Sequence, residues 1–156
     1  MRVTFEVNGR QVAVNSPPNR TLLDVLREDF GLTGAKDACG GEGECGACTV
    51  IMDGKSVNSC MVFIGQVHGC AIETIEGIAK DGELHPLQRA FVEAGAVQCG
   101  YCTPGAIMAA KGLLQENSRP SDEQIREGLS GNLCRCTGYV KMIEAVRRAA
   151  EELSHA

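Results

Sequence analysis

The residues best suited to chemistry in this 156-residue sequence are its nine cysteines. Eight of them form two sets of four, one in each half of the chain: Cys39, Cys45, Cys48 and Cys60, then Cys99, Cys102, Cys134 and Cys136. Cys70 is left over. Four thiolates are the usual ligand set of a 2Fe–2S cluster and also of a structural zinc ion. Each set therefore predicts a metal centre of one of these two kinds.

The first set lies largely in a glycine-rich loop, CGGEGECGAC, at residues 39–48. Glycine permits left-handed backbone close to a bulky cluster and lets peptide N–H groups point at sulfur. The loop is similar to the plant-type run C-x₄-C-x₂-C, although five residues separate Cys39 from Cys45. Residues 41–46 also match the dinucleotide pattern G-x-G-x-x-G. A β-branched run and a hairpin turn follow instead of a helix, which excludes that interpretation.

The second set lies in QCGYCTPG (98–105) and LCRCTGY (133–139), and each segment precedes a predicted helix. Helix N-termini favour anionic thiolates, because their N–H groups are free and the helix dipole is positive there. A C-x-C pair is tight for zinc, whose ligands are usually spaced C-x₂₋₄-C. The spacing favours iron–sulfur clusters, with a zinc-stabilised interaction module that has no redox role as the alternative.

The elements that must position these cysteines differ between the two halves. Residues 1–77 are β-rich, with hairpin turns at Asn8-Gly9 and Asp53-Gly54, a helix over 22–30 capped by Thr21, and a further strand over 71–77. The second hairpin places Cys48 and Cys60 together at its open end. Residues 82–156 predict four helices, beginning near Pro86, Pro104, Ser121 and Gly138. We expect two domains, 1–78 and 79–156.

Composition narrows the function classes further. The net charge of −5 argues against a nucleic-acid partner. No apolar run is long enough to span a membrane, and the N-terminus lacks the pattern of a secretory signal. A cytoplasmic location is the expectation, and in a reducing compartment clustered cysteines are metal ligands more often than disulfides. No Ser-His-Asp, Cys-His or paired-carboxylate arrangement predicts a catalytic site.

Three segments carry a family resemblance: ECGACTV (44–50), VQCGYCTPG (97–105) and GNLCRCTGY (131–139). Over nearly its whole length the chain resembles the small iron–sulfur subunit of molybdenum hydroxylases of the xanthine dehydrogenase and aldehyde oxidase type. The resemblance implies an α+β fold, with an N-terminal β-grasp ferredoxin-like domain followed by a C-terminal four-helix bundle. It also implies one 2Fe–2S cluster in each domain.

The same resemblance assigns ligands and partners. The outer cluster takes Cys39, Cys45, Cys48 and Cys60, and the cluster proximal to molybdenum takes Cys99, Cys102, Cys134 and Cys136. Gln98 and Cys136 are implied to contact the pterin.

The resemblance also implies partner chains. A large partner chain carries molybdopterin, in its cytosine dinucleotide form, and a medium partner chain carries FAD. Electrons from hydroxylation of an N-heterocycle, purine or aldehyde would pass through this chain to the flavin or another acceptor. Cys70 is expected to be a buried thiol without a redox role.

Overall fold

The computed structural model describes residues 1–155, which form one mixed sheet and a group of helices. The five strands are β1 (Arg2–Val7), β2 (Arg10–Asn15), β3 (Thr49–Met52), β4 (Lys55–Asn58) and β5 (Ala71–Glu73). The α-helices are α1 (Leu22–Asp24), α2 (Ile75–Ile78), α3 (Pro86–Glu93), α4 (Thr103–Glu116), α5 (Asp122–Gly128) and α6 (Val140–His155). The predicted α+β class is confirmed at this level.

The sheet has the strand order β2-β1-β5-β3-β4. Two antiparallel hairpins form its outer parts, and β5 joins them by pairing parallel to β1 and antiparallel to β3. Alternate residues of β1 are buried, as the period of a strand requires. They share an apolar core with the helix after Thr21, where Phe5 meets Phe30 edge to face at 5.9 Å between ring centroids.

The local predictions in the sheet half are largely confirmed. Thr21 caps α1 and forms a capping box with Asp24. The helix was expected to run regularly to Phe30, but after Asp24 it continues as a π-helix over Val25–Asp29. The predicted strand over 71–77 is too long, because the chain leaves the sheet after Glu73 and turns into α2.

The second hairpin has the predicted register. Met52 pairs with Lys55 and Thr49 with Asn58, and the Ser59 N–H donates to the Cys48 carbonyl at 3.3 Å. Cys48 and Cys60 therefore leave the hairpin side by side. A two-residue turn sets the register of every residue pair in the hairpin. The position of Cys48 beside Cys60 therefore follows from the sequence.

The helical half contains α3–α6, and Ser121 caps α5 through the predicted bonding with Gln124. Helix α3 packs on α6 and α4, and α5 packs on α4 and α6. The prediction of a separate four-helix bundle is not confirmed in that form. Helix α4 also packs across β3 and β4, so its apolar residues, including Gly105 and Gly112, serve both the sheet and the helices. Nothing in residues 1–155 forms a helix long and apolar enough to cross a lipid bilayer.

Candidate metal centres

The first cysteine set comes together as two pairs. The sulfur atoms of Cys48 and Cys60 lie 3.4 Å apart, and both residues are buried, 2% and 7% exposed. Cys45 lies beside the Cys39 thiol, and both are half-buried in the glycine loop. The Cys39 thiol also contributes to the raised pKa of Cys60, so the two pairs are neighbours. We call this the outer site.

Five residues separate Cys39 from Cys45, one more than in the plant-type pattern, and a turn accommodates the additional residue. Gly40 and Gly41 both have left-handed backbone, with φ of 81° and 82°. Their N–H groups donate to one carboxylate oxygen of Asp37, at 2.8 and 3.1 Å. The insertion therefore bulges outward at an exposed turn and leaves Cys39 next to Cys45.

The thiols of the outer site have opposite electrostatic surroundings. Backbone N–H groups of Glu44 and Cys45 lower the pKa of Cys39 to about 7. Burial, together with the neighbouring Cys48, raises the pKa of Cys60 to about 12. A buried pair of this kind gives up its protons when a cation binds, because the metal neutralises the thiolates.

The second set also forms two pairs, Cys102 with Cys134 and Cys99 with Cys136. The first pair is half-buried, and burial followed by the nearby Cys134 raises the pKa of Cys102 to about 12. The second pair is exposed. We call this the proximal site.

Helix ends and hydroxyl groups surround the proximal site. Cys102 is the N-cap of α4. The Thr137 hydroxyl donates to the Cys134 sulfur at 3.1 Å, and the Thr137 N–H does so at 3.4 Å. The Cys134 N–H donates to the Tyr139 hydroxyl at 2.8 Å, which fixes the turn before α6. These donors favour a thiolate at Cys134.

The pairing fits a two-iron cluster, in which each iron takes two protein thiolates. A tetrahedral zinc ion needs all four sulfurs around a single centre. The Thr103 hydroxyl, next to Cys102, is buried without a hydrogen-bond partner in the described part of the chain. A sulfur acceptor at this site would satisfy it.

The two sites touch through their loops. The Leu133 N–H, one residue before Cys134, donates to the Cys45 carbonyl at 2.9 Å. The Tyr101 hydroxyl, between Cys99 and Cys102, donates to the backbone carbonyl of Asp37 near Cys39. Each segment of the proximal site is thus bonded to the loop of the outer site.

Two further candidates, Gln98 and Cys136, lie at the protein surface, and Cys70 lies apart from both cysteine sets. Gln98 and Cys136 are both exposed beside the proximal site, and their predicted pterin contact stays a prediction. Cys70 belongs to neither set and is half-buried, with its sulfur 3.7 Å from the Gln66 carbonyl. Thr103 and Thr137 were not identified from the sequence, although each directly follows a cysteine of a recognised segment.

Comparison with known proteins favours 2Fe–2S clusters over the zinc alternative. Residues 5–76 match the family described as "2Fe-2S iron-sulfur cluster binding domain", and residues 74–147 match the "[2Fe-2S] binding domain" family. The nicotinate dehydrogenase small FeS subunit of Eubacterium barkeri is 53% identical over 98% of this chain and 97% of its own length. A probable subunit of xanthine dehydrogenase from Bacillus subtilis is 50% identical over 95% of this chain and 84% of its own.

Solved structures show the same fold. A chain of quinoline 2-oxidoreductase from Pseudomonas putida 86 superposes with a TM-score of 0.95 at 42% identity, covering 100% of this chain and 97% of that one. The aldehyde oxidoreductase of Desulfovibrio desulfuricans also gives 0.95 at 46% identity, but only 17% of that longer chain is covered. On these similarities, the chain belongs to the family of small 2Fe–2S subunits of molybdenum hydroxylases of the xanthine dehydrogenase and aldehyde oxidase type, and it is a subunit of an oxidoreductase.

Proposed function

We propose that this chain takes electrons from a molybdopterin centre on a large partner chain and passes them to FAD on a medium partner chain or to another acceptor. The observation that carries this proposal is the pair of four-cysteine sites, joined by the hydrogen bond from Leu133 to Cys45 and unequally exposed. When bound, 2Fe–2S clusters supply one-electron redox chemistry. The protein supplies the ligands: Cys39, Cys45, Cys48 and Cys60 at the outer site, and Cys99, Cys102, Cys134 and Cys136 at the proximal site.

The proximal site is the proposed entry for electrons because one of its cysteine pairs lies at the surface. Exposed apolar side chains flank that pair, including Leu133 at 55% and Tyr101 at 45%. Apolar patches next to a functional group mark surfaces that a partner covers. Gln98 lies on this surface, and its amide can donate and accept at once, as the edge of a pterin requires. Cys136 is the proposed second contact.

The outer site is the proposed exit. Its sulfurs are more enclosed, and the Met61 side chain lies against Gly43 while remaining largely exposed. A partly apolar cover of this kind excludes water from the site and still leaves a short approach for an acceptor. We place FAD, on a medium chain, beyond this cover.

The substrate of the complex belongs to the large chain. Relatives are named for nicotinate, nicotine and quinoline, which are N-heterocycles, so we propose hydroxylation of an N-heterocycle ahead of a purine or an aldehyde. We also propose the cytosine dinucleotide form of molybdopterin, a β-grasp ferredoxin-like domain at 1–78 and a four-helix domain at 79–156. The cytoplasmic location stays a prediction.

The test compares Gln98→Ala with Gln11→Ala, an exposed glutamine on β2. Each variant is purified with the co-expressed partner chains and assayed for substrate-dependent dye reduction. We expect Gln98→Ala to keep both clusters and to slow reduction by about tenfold or more, because misplacement of reacting groups by about 1 Å can cost about a hundredfold. Gln11→Ala should behave as wild type.

The same preparation tests the subunit assignment. The chain purified alone should oxidise no organic substrate, although dithionite should still reduce its clusters. Substrate oxidation by the chain alone would overturn the proposal.

A further inference from the structure

Gly46 lies where the outer loop, the start of α4 and the segment before Cys134 meet. A Cβ atom on Gly46 would lie 2.4 Å from the Gly131 carbonyl oxygen and 2.6 Å from the Asn132 amide nitrogen. A Cβ atom on Gly105 would lie 2.3 Å from the Gly46 carbonyl oxygen. The backbones of the two cysteine segments therefore approach closely here, and a Cβ atom at Gly46 or Gly105 would clash with the other segment.

Asn132 is the side chain that ties this junction together. It is 7% exposed, and its amide nitrogen donates to the Gly46 carbonyl at 3.0 Å and to the Thr49 hydroxyl at 3.2 Å. The Gly46 carbonyl also accepts from the N–H and hydroxyl of Thr49, at 3.1 and 2.7 Å. Those two donors belong to the same loop, whereas Asn132 comes from the other half of the chain.

The Asn132 bond lies next to the bond that joins the two sites. Asn132 precedes Leu133, whose N–H donates to the carbonyl of Cys45, and Gly46 directly follows Cys45. Two neighbouring hydrogen bonds thus connect consecutive residues of one loop to consecutive residues of the other. Hydrogen bonds are directional, so such a pair fixes register and orientation as well as distance.

We propose that Asn132 is a positioning residue that sets the separation and orientation of the outer and proximal cysteine sets, and thereby the electronic coupling between their clusters. The inference rests on the proposed function, because it assumes that both sites bind 2Fe–2S clusters. Asn132 touches no reacting atom in this role. It acts through Gly46 and the Cys45–Leu133 bond.

The experiment uses the full chain loaded with iron and sulfide and compares Asn132→Ala with Asn58→Ala. Asn58 is the matched control, because its amide donates from the end of β4 to the Gly43 carbonyl at 2.8 Å, a bond that involves only the outer site. Each variant removes one asparagine amide that donates a hydrogen bond to a backbone carbonyl of the outer loop. Asn132→Leu is a milder third variant, because it keeps the branched shape of the side chain and removes the two hydrogen bonds that the Asn132 amide donates.

Two readouts separate positioning from general stability. The first is the magnetic splitting between the two paramagnetic centres in fully reduced protein, which falls steeply with their distance. The second is the rate at which one added electron equilibrates between the sites. We expect Asn132→Ala to reduce the splitting and to slow equilibration relative to wild type, because both fall as the separation of the two centres grows. Asn58→Ala should keep both wild-type values even if its thermal stability falls.

The outcomes distinguish this inference from the proposed function. A wild-type chain with fewer than two clusters would contradict the proposed function and the inference with it. Two clusters in wild type and an unchanged splitting in Asn132→Ala would overturn the inference alone. If Asn132→Ala loses a cluster, Asn132→Leu decides: a reduced splitting with both clusters present supports the inference, and a wild-type splitting or the loss of a cluster overturns it.

Discussion

The outer and proximal sites present the same number of thiols on different backbones. At the outer site a glycine-rich loop supplies peptide N–H groups, and left-handed residues such as Gly43 and Gly46 turn the chain around the sulfurs. At the proximal site two turns leading into helices carry the cysteines, and the Thr137 hydroxyl donates to a sulfur. One site is largely enclosed and the other has an exposed pair, Cys99 with Cys136. The exposed pair is the one for which we propose a contact with a pterin.

The largest expected effect distinguishes Cys39, a proposed cluster ligand, from Cys70, which belongs to neither cysteine set. Cys39→Ser should destroy or strongly perturb the outer cluster and leave the proximal one intact, because Cys39 lies beside Cys45 despite the insertion. Cys70→Ser should keep both clusters and lose only packing. Iron analysis and circular dichroism of the two variants check this. Loss of a cluster in Cys70→Ser, with none in Cys39→Ser, would show that the ligand set is wrong.

A smaller effect is expected where the two sites meet. Gly46→Ala should destabilise the folded protein by about 3 kcal/mol or more, because it combines left-handed strain with overpacking against the Gly131 carbonyl. Gly40→Ala has the same backbone strain in open space and should cost about 1–2 kcal/mol. The denaturant concentration at which cluster absorbance disappears measures both variants. Equal decreases in stability for Gly46→Ala and Gly40→Ala would mean that the packing around Gly46 is looser than its interatomic distances indicate.

The smallest expected effect concerns the hydroxyl at the proximal site. Thr137→Val removes a donor to the Cys134 sulfur, and such donors stabilise the more negative, reduced cluster. If the bond is worth about 1 kcal/mol more in the reduced state, the proximal reduction potential should fall by about 40 mV. Thr33→Val, at an exposed position near the outer loop, is the control. A potentiometric titration that shows no shift, or a shift at the outer site, would contradict this assignment.

Local rules account for much of what the sequence predicted. The Asp53-Gly54 turn fixes the register that brings Cys48 beside Cys60, and the capping residues Thr21 and Ser121 mark helix starts through bonds within three residues. The structure places the cysteines of each half in neighbouring pairs, and their assignment as cluster ligands stays a prediction.

Contacts between the halves could not be predicted in the same way. The bond from Asn132 to Gly46 joins residues 86 positions apart, and no periodicity or turn pattern encodes such a pair. The π-helix after Asp24 and the packing of α4 on the sheet also depend on tertiary contacts. The turn that accommodates the additional loop residue depends on bonds from two left-handed glycines to Asp37. Those bonds are seen only in the folded structure.

Metal analysis of the full chain tests the central claim most directly. Two sites that each bind a 2Fe–2S cluster predict about four irons and four inorganic sulfides per chain, with no stoichiometric zinc. The reduced protein should give two distinguishable paramagnetic signals, because the outer and proximal surroundings differ. A colourless chain that carries two zinc ions and no sulfide would contradict the account.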